Sequence, residues 1–132
     1  MKPDKNKKRA GGWFRVGGED LDFAKASLRE FGAYYPQVCF LCQQAAEKYL
    51  KGYLVFRKGK FPKVYDLTHL LKLCAKADKK FLDFLSDGDI LSQYYIVARY
   101  PLPEYPLAGK AEAKEALASA EKIVKFVKKS AK

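Results

Sequence analysis

The sequence predicts an all-α fold, an up-and-down bundle of four or five helices. Apolar residues recur at three- and four-residue steps along most of the chain, and no strand alternation, hairpin turn or internal repeat interrupts them. The connections between the periodic stretches are mostly short, which favours antiparallel neighbours. With 132 residues, 48% of them hydrophobic and 14% aromatic, the chain can bury one core without disulfides or a metal, and disorder is excluded.

Residues 1–12, MKPDKNKKRAGG, are polar and basic with a Gly-Gly stop, and read as a flexible arm outside a single domain over 13–132. Trp13 and Phe14 are expected to fold back onto that domain. After Gly17-Gly18, the acids Glu19, Asp20 and Asp22 suit the positive end of a helix. Leu21, Ala24, Leu28 and Phe31 then place a first helix near 19–33.

Pro36 suits the first turn of a second helix reaching about Lys58. Val38, Leu41, Cys42, Ala45, Tyr49, Tyr53 and Phe56 recur at helical spacing, and Cys39, Ala46 and Leu50 widen the stripe. Only Gln37, Gln44, Lys48 and Lys51 mark a wet side, so this helix belongs at the centre of the bundle. A third helix follows from about Asp66, with Leu67, Leu70, Leu71 and Cys74 on one face. Asp78 can cap a fourth helical stretch holding Phe81, Leu82 and Leu85. Ser86-Asp87-Gly88-Asp89 breaks the pattern, and helix resumes through Leu91, Tyr94, Tyr95 and Ala98 to stop before Pro101. Residues 100–109, YPLPEYPLAG, read as an irregular loop. The last helix spans about Lys110–Lys129, burying Ala113, Leu117, Ala120, Val124 and Val127, with Glu121 able to pair with Lys125.

Twenty-six Lys and Arg against fifteen Asp and Glu give a net charge of +11. The cations crowd both ends: Lys2, Lys5, Lys7, Lys8, Arg9 and Arg15 on one side, Lys125, Lys128, Lys129 and Lys132 on the other. Such a chain attracts polyanions, RNA or DNA phosphates first among them, although lysine tails also serve solubility. No run of 18 or more apolar residues and no apolar segment behind the first lysines exist, so neither a membrane partner nor a secretory signal is expected. Three cysteines suit a reducing compartment, and a cytoplasmic location follows.

Several motifs carry no site. Gly59-Lys60 lacks phosphate-loop spacing, and Gly11-Gly12 and Gly17-Gly18 follow no strand. Cys39 and Cys42 form a C-x-x-C pair, but on a buried helix they are small apolar residues, with no second pair to complete a zinc site. His69, the one histidine, lies almost opposite the Leu67, Leu70, Leu71 and Cys74 stripe, in solvent. No metal or cofactor is expected.

The segment Gln43-Gln44-Ala45-Ala46-Glu47-Lys48-Tyr49-Leu50-Lys51 resembles the QxAxEKxLK helix of HEPN domains, named for nucleotide binding in higher eukaryotes and prokaryotes. Asp20-Leu21, then Asp66-Leu67 with Leu70-Leu71, then Tyr94-Tyr95 with Arg99-Tyr100-Pro101 follow in the family's order over residues 13–129. The resemblance implies a dimeric five-helix bundle, in a family where many members are metal-independent ribonucleases or toxins, often beside a minimal nucleotidyltransferase. It also implies an active motif of arginine followed after four to six residues by histidine. Arg99 takes the arginine position, but the window holds Glu104, Tyr105 and Pro106, none of them histidine.

Cleaving RNA through its own 2′-hydroxyl needs a proton acceptor and a cation on the phosphate. Arg99 can supply the cation, or equally can cap a helix C-terminus. Tyr105, with an ordinary pKa of about 10, is a poor base, and Glu104 an improvised one. The sequence thus points to a non-catalytic or weakly catalytic module that dimerises and binds a nucleotide or RNA through Arg99, Tyr94, Tyr95, Tyr100 and Tyr105, with a nucleotidyltransferase as possible partner. An endoribonuclease toxin with an unusual site and a plain helical interaction module are the alternatives.

Overall fold

The computed structural model describes residues 3–64, 66–97 and 108–132. These form α1 (Pro3–Glu30), α2 (Tyr35–Lys58), α3 (Leu67–Cys74), a 3₁₀ turn (Lys79–Phe84), α4 (Leu85–Ser92), α5 (Tyr94–Val97) and α6 (Lys110–Ser130). The protein is an all-α bundle, and no strand occurs among the described residues.

α2 is packed by α1, α3, α4, α5 and α6. Its apolar girth explains the position: Val38, Cys39, Cys42, Ala45, Ala46, Leu50 and Val55 are all fully buried. A helix apolar on most sides is stable only when other helices cover those sides. Pro36 lies in its first turn, where a missing N–H costs nothing, and Gly59 ends it in the left-handed region (φ 79°) with its N–H donating to Val55 O. Gly32 (φ 58°) and Tyr34 (φ 60°) turn the chain back between α1 and α2. Asp66 caps α3 by accepting from Thr68 N–H, and Asp78 caps the 3₁₀ turn by accepting from Lys80 N–H, at 3.0 Å each.

Five expectations are corrected. The segment read as an arm over residues 1–12 is, from Pro3 onward, the start of α1, with Asn6 and Ala10 buried. Contact with α2 overrides the helix-breaking tendency of Gly11-Gly12. Ser86–Asp89 lies inside α4 rather than interrupting it. Asp87 accepts from Ser119 Oγ at 2.7 Å, and a Cβ on Gly88 would sit 2.7 Å from Leu71 Cδ1, so tertiary contacts fix that turn as helix. Phe31 is 65% exposed, because the first helix ends at Glu30. Lys51 is buried beside Glu47 instead of wet, and Glu121 pairs with Lys25 across the α1–α6 contact.

Trp13 and Phe14 do fold onto the domain. Phe14 stacks on Tyr49 with ring centroids 5.2 Å apart, and Trp13 meets Phe61 edge-on at 4.7 Å.

Candidate functional site

The motif helix yields a continuous polar stripe along α2. Cys39, Gln43, Glu47 and Lys51 recur at four-residue steps, one turn apart. Gln43, fully buried, donates from Nε2 to Glu47 Oε1 at 2.9 Å and accepts at Oε1 from Gln44 Nε2 at 2.8 Å. Lys51 Nζ donates to Glu47 Oε2 at 3.0 Å and lies 5.3 Å from the Phe61 ring centroid. Gln43, Glu47 and Lys51 therefore each have partners, which a low-dielectric interior demands. Lys48 next door donates to Asp20 at 2.5 Å, tying α2 to α1 through the Asp20-Leu21 pair.

At the N-terminal end of this stripe stands α5. Tyr94 is 4% exposed, and its phenol lies close to the Cys39 thiol within the same buried pocket. Burial pushes the Cys39 thiol up to about 12, and burial likewise raises the Tyr94 phenol, with the charges of Glu112 and Glu115 acting in the same direction on both. Both groups stay protonated at neutral pH. Buried in the core, Tyr94 offers no open ring face for stacking and acts instead as the anchor of α5. Tyr95 is half-buried beside it.

Arg99, Tyr100 and Tyr105 lie outside the described residues. The segment that carries them is bounded by two fixed points, buried Tyr94 on α5 and buried Ala108 before α6. Gly109 N–H donates to Glu112 Oε1 at 2.9 Å, closing the first turn of α6. Glu112 and Glu115 give this end of the bundle an acidic side that sequence reading missed. Their spacing on α6 was visible, but their approach to α2 and α5 is tertiary.

The remaining candidates are architectural. Cys42 and Cys74 are buried and free, as is Cys39, and no cluster of metal-binding side chains exists among the described residues. His69 is exposed, as its helical angle predicted, beside a shallow groove lined by Lys63, Val64 and Asp66. No helix among the described residues is long and apolar enough to cross a membrane.

The family profile described as HEPN domain matches residues 10–130. Among solved structures, the chain is similar to TT1696 from Thermus thermophilus, at 34% identity and a TM-score of 0.81, covering 92% of this chain and 97% of that one. It is also similar to ST0689, an archaeal HEPN homologue, at 30% identity and a TM-score of 0.75, covering 93% and 98%. No match is found among curated proteins.

Proposed function

Because the chain belongs to the HEPN domain family, we propose that it is a non-catalytic or weakly catalytic module that binds a nucleotide or RNA through the segment around Arg99. The observation that carries this reading is chemical. Arg99 offers a planar fork for a phosphate, while Glu104, Tyr105 and Pro106 supply no efficient proton acceptor at the spacing where cleavage needs one. Tyr95, Tyr100 and Tyr105 are the stacking residues of this reading.

Twofold self-association belongs to the same reading, with a nucleotidyltransferase as a possible protein partner. Phe31 and Tyr34, 65% and 66% exposed, sit in the α1–α2 connection at the same end of α2 as Cys39, and supply apolar surface that a lone bundle leaves wet. Three buried free thiols favour a cytoplasmic location.

The test compares wild type, Arg99→Ala and Tyr105→His, using labelled RNA at neutral pH in chelator. Wild type should bind with little cleavage, Arg99→Ala should bind about tenfold or more weakly, as loss of a charge-assisted phosphate contact implies, and Tyr105→His should gain cleavage. Robust cleavage by the wild type would overturn the non-catalytic reading in favour of an endoribonuclease.

A further inference from the structure

The positive charge is gathered at one end of the bundle. Segments 5–16, 54–63, 76–83 and 124–132 hold 16 of the 26 Lys and Arg and 2 of the 15 acids, a net +14, so the other 10 cations and 13 acids sum to −3. Tertiary contacts bring these four segments together. Arg9 Nη1 donates to Gly59 O at 2.8 Å, fastening the start of α1 to the end of α2. The ring of Phe81 lies 4.6 Å from Tyr53 and 4.9 Å from Phe126, which joins the 3₁₀ turn to α2 and α6. Lys128 Nζ lies 5.9 Å from the Tyr49 ring centroid, placing the last turns of α6 alongside α1 and α2.

Lysines gathered this way repel one another, and Asp78 and Asp83 are the acids that the described parts of these segments set among them. The described lysines of these segments are exposed and none forms an ion pair among the described residues; elsewhere Lys25, Lys48, Lys51 and Lys122 are paired, while Lys72, Lys110 and Lys114 are exposed and form no ion pair among the described residues. Between the cations run two clefts. One, of about 300 Å³, is lined by Arg9, Gly12, Trp13, Val16 and Lys48; the other, of about 350 Å³, includes Lys58, Lys60, Phe61 and Pro62. The Trp13–Phe61 ring contact stands between them.

We propose that this end is a second RNA surface, which tracks the phosphate backbone and is separate from the Arg99 segment. It rests on RNA being the ligand, but not on Arg99. Nineteen residues of α2 separate Lys58 from Cys39, about 28 Å of helix, and the Cys39 end carries the acids Glu112 and Glu115. A strand advancing ~3.4 Å per nucleotide must exceed about eight nucleotides to reach from one end to the other. A membrane surface fits less well, because interfacial binding needs protruding apolar side chains. Of the large exposed apolar residues among the described ones, Phe23, Phe31, Tyr34, Leu82 and Ile96, only Leu82 belongs to the basic segments.

The test uses a fluorescein-labelled 20-nucleotide single-stranded RNA and the full chain, with helical content checked by circular dichroism. Variant Lys58→Gln/Lys60→Gln/Lys129→Gln should lose at least tenfold in affinity, and its log-affinity against log-salt slope should flatten by about 2, the value for three lost single-strand phosphate contacts. The control Lys110→Gln/Lys114→Gln, exposed on the first turns of α6, should stay within twofold. Equal losses in both variants would reduce the effect to net charge and overturn the proposal. If Arg99→Ala removes binding while the triple variant keeps it, the proposal fails and the Arg99 reading stands; the reverse result leaves the basic end standing alone. Binding to phosphatidylserine vesicles with none to RNA would also overturn it.

Discussion

Glycine-to-alanine exchange at three helical positions should move stability in opposite directions, and the sign at each depends on how α1 packs. Gly11 and Gly12 lie in α1, exposed, and an added Cβ would meet nothing within 4 Å at either. Alanine there removes the backbone-entropy penalty of glycine in a helix, about 1 kcal/mol per site. The same gain is available at Gly52 in α2, but a Cβ there would sit 2.6 Å from Phe14 Cε1 and 3.0 Å from Trp13 Cβ. Neither neighbour can yield cheaply. Phe14 is stacked on Tyr49, and Trp13 Cβ is fixed to its own backbone. Overpacking of this kind costs about 1–3 kcal/mol, which outweighs the propensity gain at the middle of its range. The expected results are therefore a gain of up to about 2 kcal/mol for Gly11→Ala/Gly12→Ala and a net loss of about 1 kcal/mol for Gly52→Ala. Urea titration at fixed protein concentration measures both, and thermal midpoints should move about 3–5 °C per kcal/mol. No change in the double alanine variant would mean that the N-terminal segment is not part of the cooperative helix. A stabilised Gly52→Ala would mean that α1 does not lie against α2 at that point.

Two further perturbations probe the polar stripe and the thiols. Lys51→Met leaves Glu47 Oε2 without its ammonium partner at a nearly buried site, and should cost about 3 kcal/mol. Glu47→Gln/Lys51→Met should recover much of that loss, and a double-mutant cycle that shows simple additivity would deny the coupling. Burial pushes Cys39 and Cys74 up to about 12, and Cys42 further up, so the folded state keeps protons that the unfolded chain sheds above its ordinary thiol pKa of about 8.5. Stability should hold below that pH and fall above it, by up to about 1.4 kcal/mol per thiol per pH unit until the folded thiols ionise in turn. Urea midpoints at pH 7.5 and 10.5 measure the fall, and native thiols should resist a thiol reagent at pH 8. Rapid native labelling, or equal midpoints, would contradict the burial.

Local pattern was enough for most of the architecture. The apolar circumference of α2 placed it at the centre, Pro36 and Gly59 marked its ends, Asp66 marked the start of α3, Asp78 announced its cap, and the helical angle of His69 placed it in solvent. These are properties of one helix and its termini, and the three- and four-residue periods report them directly. Family membership was legible for a related reason. Its motif residues are structural: Gln43, Glu47 and Lys51 satisfy one another at four-residue spacing, and Asp20 holds Lys48. Such residues leave a pattern in sequence even when their partners cannot be foreseen.

What needed the tertiary structure was every outcome in which a contact overruled a local preference or joined distant segments. Gly11-Gly12 and Ser86–Asp89 carry breaker composition, yet both lie in helices, the first because the neighbouring Phe14 packs on Tyr49 of α2 and the second because Leu71 and Ser119 take up the surface it presents. Tyr94 and Tyr95 are adjacent in sequence, but packing buries the first against Cys39 and leaves the second half-open. The basic end is the clearest case. The sequence showed cations near both termini, but Arg57, Lys58, Lys60 and Lys63 joined them only when α1 and α6 lay along α2. Charge acts through space and not along the chain, so composition alone determined how much positive charge the protein carries, and the packing of the helices decided where that charge adds up.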